Sequence, residues 1–202
     1  LVCTYACNEY LLAATEDAVR RSLLALENSL AMAGRLGAGL MRVNVAAGPF
    51  DRSLPAAGWW QRAVKQILAQ AAALGVVLAV ENPPNAVGGN PRFLCDLVAS
   101  FASPWLKVTF DTGNWLPAGW DPFEALAILA GHIGYVHLKD MIARPDGFVP
   151  AYPGGGDMDL RGLIDRFGRM GYDGFYALEF PGGRSPAAAV KASLRHLRRE
   201  TA

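Results

Sequence analysis

The 202-residue chain predicts an α/β fold, a parallel sheet assembled from right-handed βα units. Three features of the sequence point there. Six short apolar runs, near 1–6, 40–45, 76–81, 106–111, 133–138 and 175–180, have the length of strands. Segments with helical spacing of apolar residues lie between them, opened by capping residues or closed by glycine. The runs are nearly all apolar rather than alternating, as in strands covered on both faces.

Leu1-Val2-Cys3-Thr4-Tyr5 opens the chain as a strand. Thr15 then stands before Glu16 and Asp17, a capping hydroxyl followed by carboxylates at the positive end of a helix dipole. Val19, Leu23, Leu26, Leu30 and Ala33 continue at helical spacing, and Gly37 closes the segment. A strand over 40–45 leads into a loop over 46–57 that carries Gly48, Pro49 and Pro55. A helix from about Trp59 ends at Leu74-Gly75, and Val76-Val77-Leu78-Ala79-Val80 follows as a strand. Asn90-Pro91, Asp121-Pro122 and Ser185-Pro186 each set a capping side chain before a proline at the first helical position. Strands over 106–110, 133–138 and 175–180 lie between these, and a helix over 160–170 is stopped by Gly171. No shift in composition and no linker divides the chain, so residues 1–202 read as a single domain.

Composition removes several function classes. Hydrophobic residues make up 52% and charged residues 18%, which excludes a disordered tail. Nineteen basic side chains against eighteen acidic ones give a net charge of +1, so no nucleic-acid partner is expected on charge. Cys3, Cys7 and Cys95 cannot all pair within one chain, and Cys3 and Cys7 lack the second ligand pair of a zinc knuckle. Reduced thiols in a cytoplasmic protein are expected. The longest apolar run, 67–80, contains Gln70 and is broken by Gly75, so no membrane span is expected. No basic region before an apolar stretch marks a signal peptide.

The ends of the strands carry the chemistry. Four consecutive apolar runs finish at Glu81, Asp111, His137 and Glu179. Ligand sites of parallel sheets lie at the carboxyl ends of the strands, so these residues should converge despite sequence gaps of 30, 26 and 42. One carboxylate after a strand is ordinarily a cap or turn residue. Four in succession point to a divalent ion: three carboxylates and an imidazole suit Mn²⁺, Mg²⁺, Co²⁺ or Zn²⁺. Without a cation, three negative charges at one spot would repel.

The neighbouring loops fit a ligand mouth. Glu81-Asn82-Pro83-Pro84-Asn85 makes a stiff turn, and Asp111-Thr112-Gly113-Asn114 a tight one from which Asn114 either points at a ligand or is an ordinary polar turn residue. His137 and Lys139 should share a strand face. Asp140 would orient His137 or a loop amide. Gly154-Gly155-Gly156-Asp157 is a glycine cluster, but no strand runs into it and no Lys-Ser/Thr follows, which rejects a P-loop. The segment 139–158 reads as an unstructured loop over the mouth. Trp115 could wall the pocket, the other tryptophans pack, and His132 and His196 are surface residues.

Taken together, Val-Glu-Asn at 80–82, Phe-Asp-Thr-Gly-Asn at 110–114, Val-His-Leu-Lys-Asp at 136–140, Gly-Gly-Gly-Asp-Met-Asp at 154–159, Gly-Tyr-Asp-Gly at 171–174 and Leu-Glu-Phe at 178–180 resemble the sugar phosphate isomerase/epimerase family, whose fold is the xylose isomerase-like TIM barrel. The resemblance implies one divalent metal, Mn²⁺ by preference, held by Glu81, Asp111, His137 and Glu179. It implies a small sugar or sugar phosphate as substrate, isomerised or epimerised through a metal-stabilised enediolate, with Glu81 and Glu179 as the catalytic proton carriers. It implies Asn114, Lys139, Asp140 and Arg144 as substrate-binding residues. Many epimerases have a histidine where this chain has Asn114, and Arg144 is only an approximate counterpart of the epimerase arginine. The apurinic-endonuclease branch needs more histidines than the three present. Gly147-Phe148-Val149-Pro150 resembles inosose dehydratases, which makes a dehydrating lyase the alternative; a catalytically inactive barrel fragment is the other. A full barrel has eight βα units and about 250 residues. Six are found here, so the family's order starts this chain at strand three, with open sheet edges that could support a homo-oligomer.

Overall fold

The computed structural model describes residues 4–13, 15–47, 58–84, 89–183 and 185–198. The chain runs β1 (Thr4–Ala13), α1 (Glu16–Arg35), β2 (Leu40–Ala47), α2 (Gly58–Leu74), β3 (Val77–Glu81), α3 (Pro91–Phe101), β4 (Leu106–Asp111), α4 (Pro122–Ile128), β5 (Ile133–Leu138), β6 (Asp140–Arg144), β7 (Gly147–Ala151), α5 (Leu160–Arg169), β8 (Tyr176–Leu178) and α6 (Pro186–Arg198). Six strands form one parallel sheet in the order β1-β2-β3-β4-β5-β8. Among the described residues this sheet does not close, and β1 and β8 each pair on one side.

The helix boundaries follow the capping chemistry. Thr15 Oγ1 accepts the amide of Ala18, Asn90 Oδ1 those of Arg92 and Phe93, and Asp121 Oδ1 those of Phe123 and Glu124. Gly37, Gly75 and Gly171 take up positive φ after α1, α2 and α5, where a side chain would be strained. The predicted apolar stripe of α1 is buried along its length, from Val19 to Ala33. Cys3, the loop residues Gly48, Pro49 and Pro55, and Asn85 lie outside the described residues.

Two elements differ from expectation. β1 runs on to Ala13 through a register shift between Ala6 and Tyr10, which carries the strand past polar Asn8 and Glu9 to the buried pair Leu11 and Leu12. The segment 139–158 is not an unstructured loop: β6 and β7 pair as an antiparallel hairpin around Pro145-Asp146. Pro150 within β7 argues against a strand, but a two-stranded ribbon consists wholly of edges, where proline is accepted.

Strand alternation separates two faces. On the outer face Met41, Val43, Val45, Val80, Val108, Phe110 and Val136 join Leu26, Leu30, Trp60, Ile67 and Leu94 of the helices in the main core. Phe110 packs on Trp115 and on Phe167 of α5, with ring centroids 5.2 and 5.4 Å apart. The inner face carries Leu40, Ala79 and Tyr135 as a small apolar floor. Two residues further toward the carboxyl ends of the same strands stand Arg42, Glu81 and His137.

Candidate metal centre

Backbone register brings the four strand ends together, with Asp111 level with His137 and a two-residue stagger from Glu81 to Asp111 and from His137 to Glu179. Asn44 pairs with Glu81, Glu81 with Thr109, Asp111 with His137, and His137 with Ala177. Glu81 and Asp111 are the last residues of β3 and β4, and His137 stands one before the end of β5. Glu179 directly follows β8 and is tied there by its amide, which donates to Leu138 O at 3.0 Å. One ligand atom from each of Glu81, Asp111, His137 and Glu179 lies within 4.8 Å of all the others.

The turns after the strands fix this geometry. The Asn82 side chain is fully buried and grips the end of β4 twice: its Oδ1 accepts the Asp111 amide at 2.7 Å, and its Nδ2 donates to Asp111 O at 3.1 Å. Asp111 Oδ1 accepts the amides of Gly113 and Asn114 at 2.9 and 3.1 Å. Gly113 is required sterically, since a Cβ there would meet Lys139 Cγ at 2.9 Å. Asn114 Nδ2 donates to Asn82 O at 2.9 Å, closing the two turns on each other.

Charge in the cluster is balanced from within. Lys139 Nζ lies 2.6 Å from Asp111 Oδ2 and 2.9 Å from Glu179 Oε1, and donates to Asn114 Oδ1 at 3.1 Å. His137 Nδ1 lies 2.8 Å from Glu81 Oε1 and 2.5 Å from Glu179 Oε2. Arg42 Nε donates to Glu81 Oε2 at 2.5 Å, and Arg42 Nη2 meets the same oxygen. Sequence reasoning missed Arg42. The available signal was a charged residue inside a mostly apolar strand, in phase with Leu40 on the inner face.

These contacts shift the titrating groups. Burial opposes a charge on His137, but hydrogen bonds to Glu179 and Glu81 overcome it and raise the ring to about 9. Burial likewise opposes ionisation of Glu179, yet the hydrogen bonds from His137 and Lys139 hold its carboxyl down to about 2. Asp111 goes the other way, up to about 6, because burial outweighs the nearby Lys139 and the charges of Glu179 and Glu81 add to it. Lys139 is raised: burial works against its charge, and the carboxylates of Asp111 and Glu179 more than restore it.

The donor set fits a divalent cation. Asp111 Oδ2 is buried and makes no hydrogen bond of ordinary geometry, although the Lys139 ammonium stands beside it. Asp111 thus has one oxygen fixed by its turn and the other offered to the cluster, where two further carboxylates and an imidazole nitrogen are in reach.

The family model described as "Xylose isomerase-like TIM barrel" matches residues 1–200. The chain belongs to the xylose isomerase-like TIM barrel family. Its α/β parallel sheet is therefore of the TIM-barrel type expected from the motifs. Among solved structures, a xylose isomerase domain protein from Planctomyces limnophilus is 18% identical with a TM-score of 0.72, the match covering 90% of this chain and 65% of that one. A 3-keto-D-glucoside 4-epimerase from E. coli is 19% identical with a TM-score of 0.76, covering 98% and 79%. A xylose isomerase-like TIM barrel protein from Mycobacterium smegmatis, in complex with magnesium, is 16% identical with a TM-score of 0.73, covering 91% and 68%. At these identities the likeness is one of fold. This member of the family spans less than two thirds of the Planctomyces chain. No curated protein matches it by sequence.

The other expected site residues are placed unequally. Asn114 and Lys139 join the cluster. Asp140 is buried and turned into the glycine segment: Oδ1 accepts the amides of Met141 and Met158, and Oδ2 those of Gly154 and Gly156. It orients loop amides rather than His137. Arg144 is exposed at the turn of the hairpin, paired across to Gly147, and is not one of the side chains that meet at the cluster. Trp115 is core, fully buried against Phe110, rather than a pocket wall. His132 and His196 are half-buried rather than free on the surface, and His196 packs over Gly154. No helix among the described residues is long and apolar enough to cross a membrane.

Proposed function

We propose that the chain is a divalent-metal-dependent isomerase or epimerase acting on a small sugar or sugar phosphate. The observation that carries this reading is the convergence of Glu81, Asp111, His137 and Glu179 at the carboxyl end of the sheet. The family's fold and the epimerase among the similar structures support it. Glu81, Asp111, His137 and Glu179 would hold the metal, with Mn²⁺ our first choice. The chemistry a cation supplies there is electrophilic: it stabilises negative charge as a carbonyl oxygen gains it.

The rest of the reaction belongs to side chains. Glu179 has the exposure a proton carrier needs, 40% against 5% for Glu81. Its carboxylate takes a proton from the carbon next to the substrate carbonyl, and the C–H electron pair becomes the C=C bond of the enediolate. Returning that proton to the adjacent carbon, while the hydroxyl proton passes to the former carbonyl oxygen, gives an isomer. Epimerisation returns a proton to the original carbon on its opposite face. For Glu81 to act as the second carrier it must first release Arg42 or His137, since both of its oxygens are engaged. Lys139 and Asn114, which meet beside Glu179, would bind substrate oxygens.

Incubation with ketoses and inososes in deuterated water with Mn²⁺ tests the reading. Deuterium at carbon in recovered or product sugar is the expected result. A dehydration product would identify a lyase instead. Mn²⁺ binding with neither outcome would leave a non-catalytic barrel. Glu179→Gln should reduce exchange by orders of magnitude, and near-normal exchange would refute its role.

A further inference from the structure

We propose that Arg42 is the positioning residue of the metal centre, a guanidinium clamp that aims Glu81 Oε1 into the cluster by holding Oε2 from behind; this rests on the metal-dependent reading above. The clamp is two-pronged on one side and anchored on the other. Nε and Nη2 both meet Glu81 Oε2, while Nη1 donates to Cys7 O at 3.0 Å. A planar fork with separate donors on two edges can do this, and a lysine ammonium cannot.

The surrounding backbone is shaped for it. Arg42 stands in the ladder between Ala6 of β1 and Ala79 of β3, so small residues flank it on both sides. Just past Ala6 the β1–β2 register shifts, and paired residues resume only at Tyr10 and Asn44. The skipped stretch supplies carbonyls to side chains instead. Cys7 O takes Arg42, and Asn8 O takes Asn44 Nδ2 at 3.1 Å. The bulge in β1 is thereby explained: it frees the carbonyl that holds the outer edge of the guanidinium. Glu81, held by Arg42 at one oxygen and facing His137 with the other, has one orientation. The Glu179 side chain lacks such a clamp and, among the described contacts, meets only Lys139 and His137.

Mn²⁺ titration of the purified chain, read by the EPR signal of free Mn²⁺, tests this without any substrate. Arg42→Met should weaken Mn²⁺ binding by about tenfold to a hundredfold, the usual effect of losing a ligand's supporting partner. Arg42→Lys, which keeps the charge and most of the packing, should recover only part of that loss. In Arg42→Ala, millimolar guanidinium should restore binding, whereas a merely loosened fold would not respond, since guanidinium unfolds proteins only near molar concentrations. Unchanged or tighter binding in Arg42→Met, full recovery by Arg42→Lys, or no response to guanidinium in a folded Arg42→Ala would each overturn the proposal. Absence of Mn²⁺ binding in the unsubstituted chain would instead overturn the metal-dependent reading itself.

Discussion

Asp140→Ala should destabilise the chain by about 3–5 kcal/mol, with the loss centred on the glycine segment between β7 and α5. Asp140 is 1% exposed and accepts four backbone amides, from Met141 at 2.9 Å, Gly154 at 2.9 Å, Gly156 at 3.0 Å and Met158 at 3.1 Å. Alanine removes all four acceptors at once. A buried donor left without a partner costs roughly 1–3 kcal/mol. The Met141 bond is buried and bears that in full, while the other three are half-buried and can regain water, which brings the sum to the range given. Asp140→Asn should not rescue, because one of its two ends becomes an N–H₂ facing amide donors. Urea unfolding of the metal-free chain measures the loss from the midpoint and slope. Limited proteolysis should find new cleavage within 152–158 in the variant. A loss under about 1 kcal/mol, with the segment still protected, would refute the assignment of Asp140 as the anchor of the glycine turn.

Asn82→Ala removes both side-chain bonds to the Asp111 backbone, and about 2–4 kcal/mol of stability should go with them, together with Mn²⁺ affinity, as measured by urea unfolding and metal titration. Gly113→Ala forces a Cβ to within 3.0 Å of Lys139 Cγ and Met141 Cγ, so a loss of about 1–3 kcal/mol is expected in the same unfolding assay. His137 is raised from 6.5 to about 9 in the metal-free chain, so its contribution to stability is complete below 6.5 and disappears as pH rises through 9. Metal binding must release that proton, so Mn²⁺ affinity should climb up to about tenfold per pH unit below 9, checked by calorimetry in buffers of different ionisation enthalpy.

The convergence of Glu81, Asp111, His137 and Glu179 was legible because each stands where an apolar run stops. Parallel topology then turns four distant strand ends into neighbours. The helix starts at Asn90-Pro91 and Asp121-Pro122 were legible for an equally local reason, since cap and first turn are adjacent in sequence. Arg42 was not. Its partner is 39 residues away, and nothing in the stretch Leu-Met-Arg-Val-Asn-Val says that the strand's inner face looks onto a carboxylate. The β6–β7 hairpin was hidden by Pro150, which is decisive against a central strand and harmless in a ribbon. Asp140 was read as orienting either His137 or a loop amide; the structure gives the amides, and its four partners, spread over residues 141–158, required the folded hairpin to bring them together.

Three carboxylates facing Arg42, Lys139 and a protonated His137 leave the mouth of the sheet close to electrically neutral before any ion arrives. If the proposed cation binds there, folding and ion uptake would be separable events. The polypeptide would assume its shape in a metal-poor environment, and loading would be a later exchange in which an incoming dication evicts a lysine and a proton. Retention would then track ion supply and acidity, and starvation would empty the chain without unravelling it.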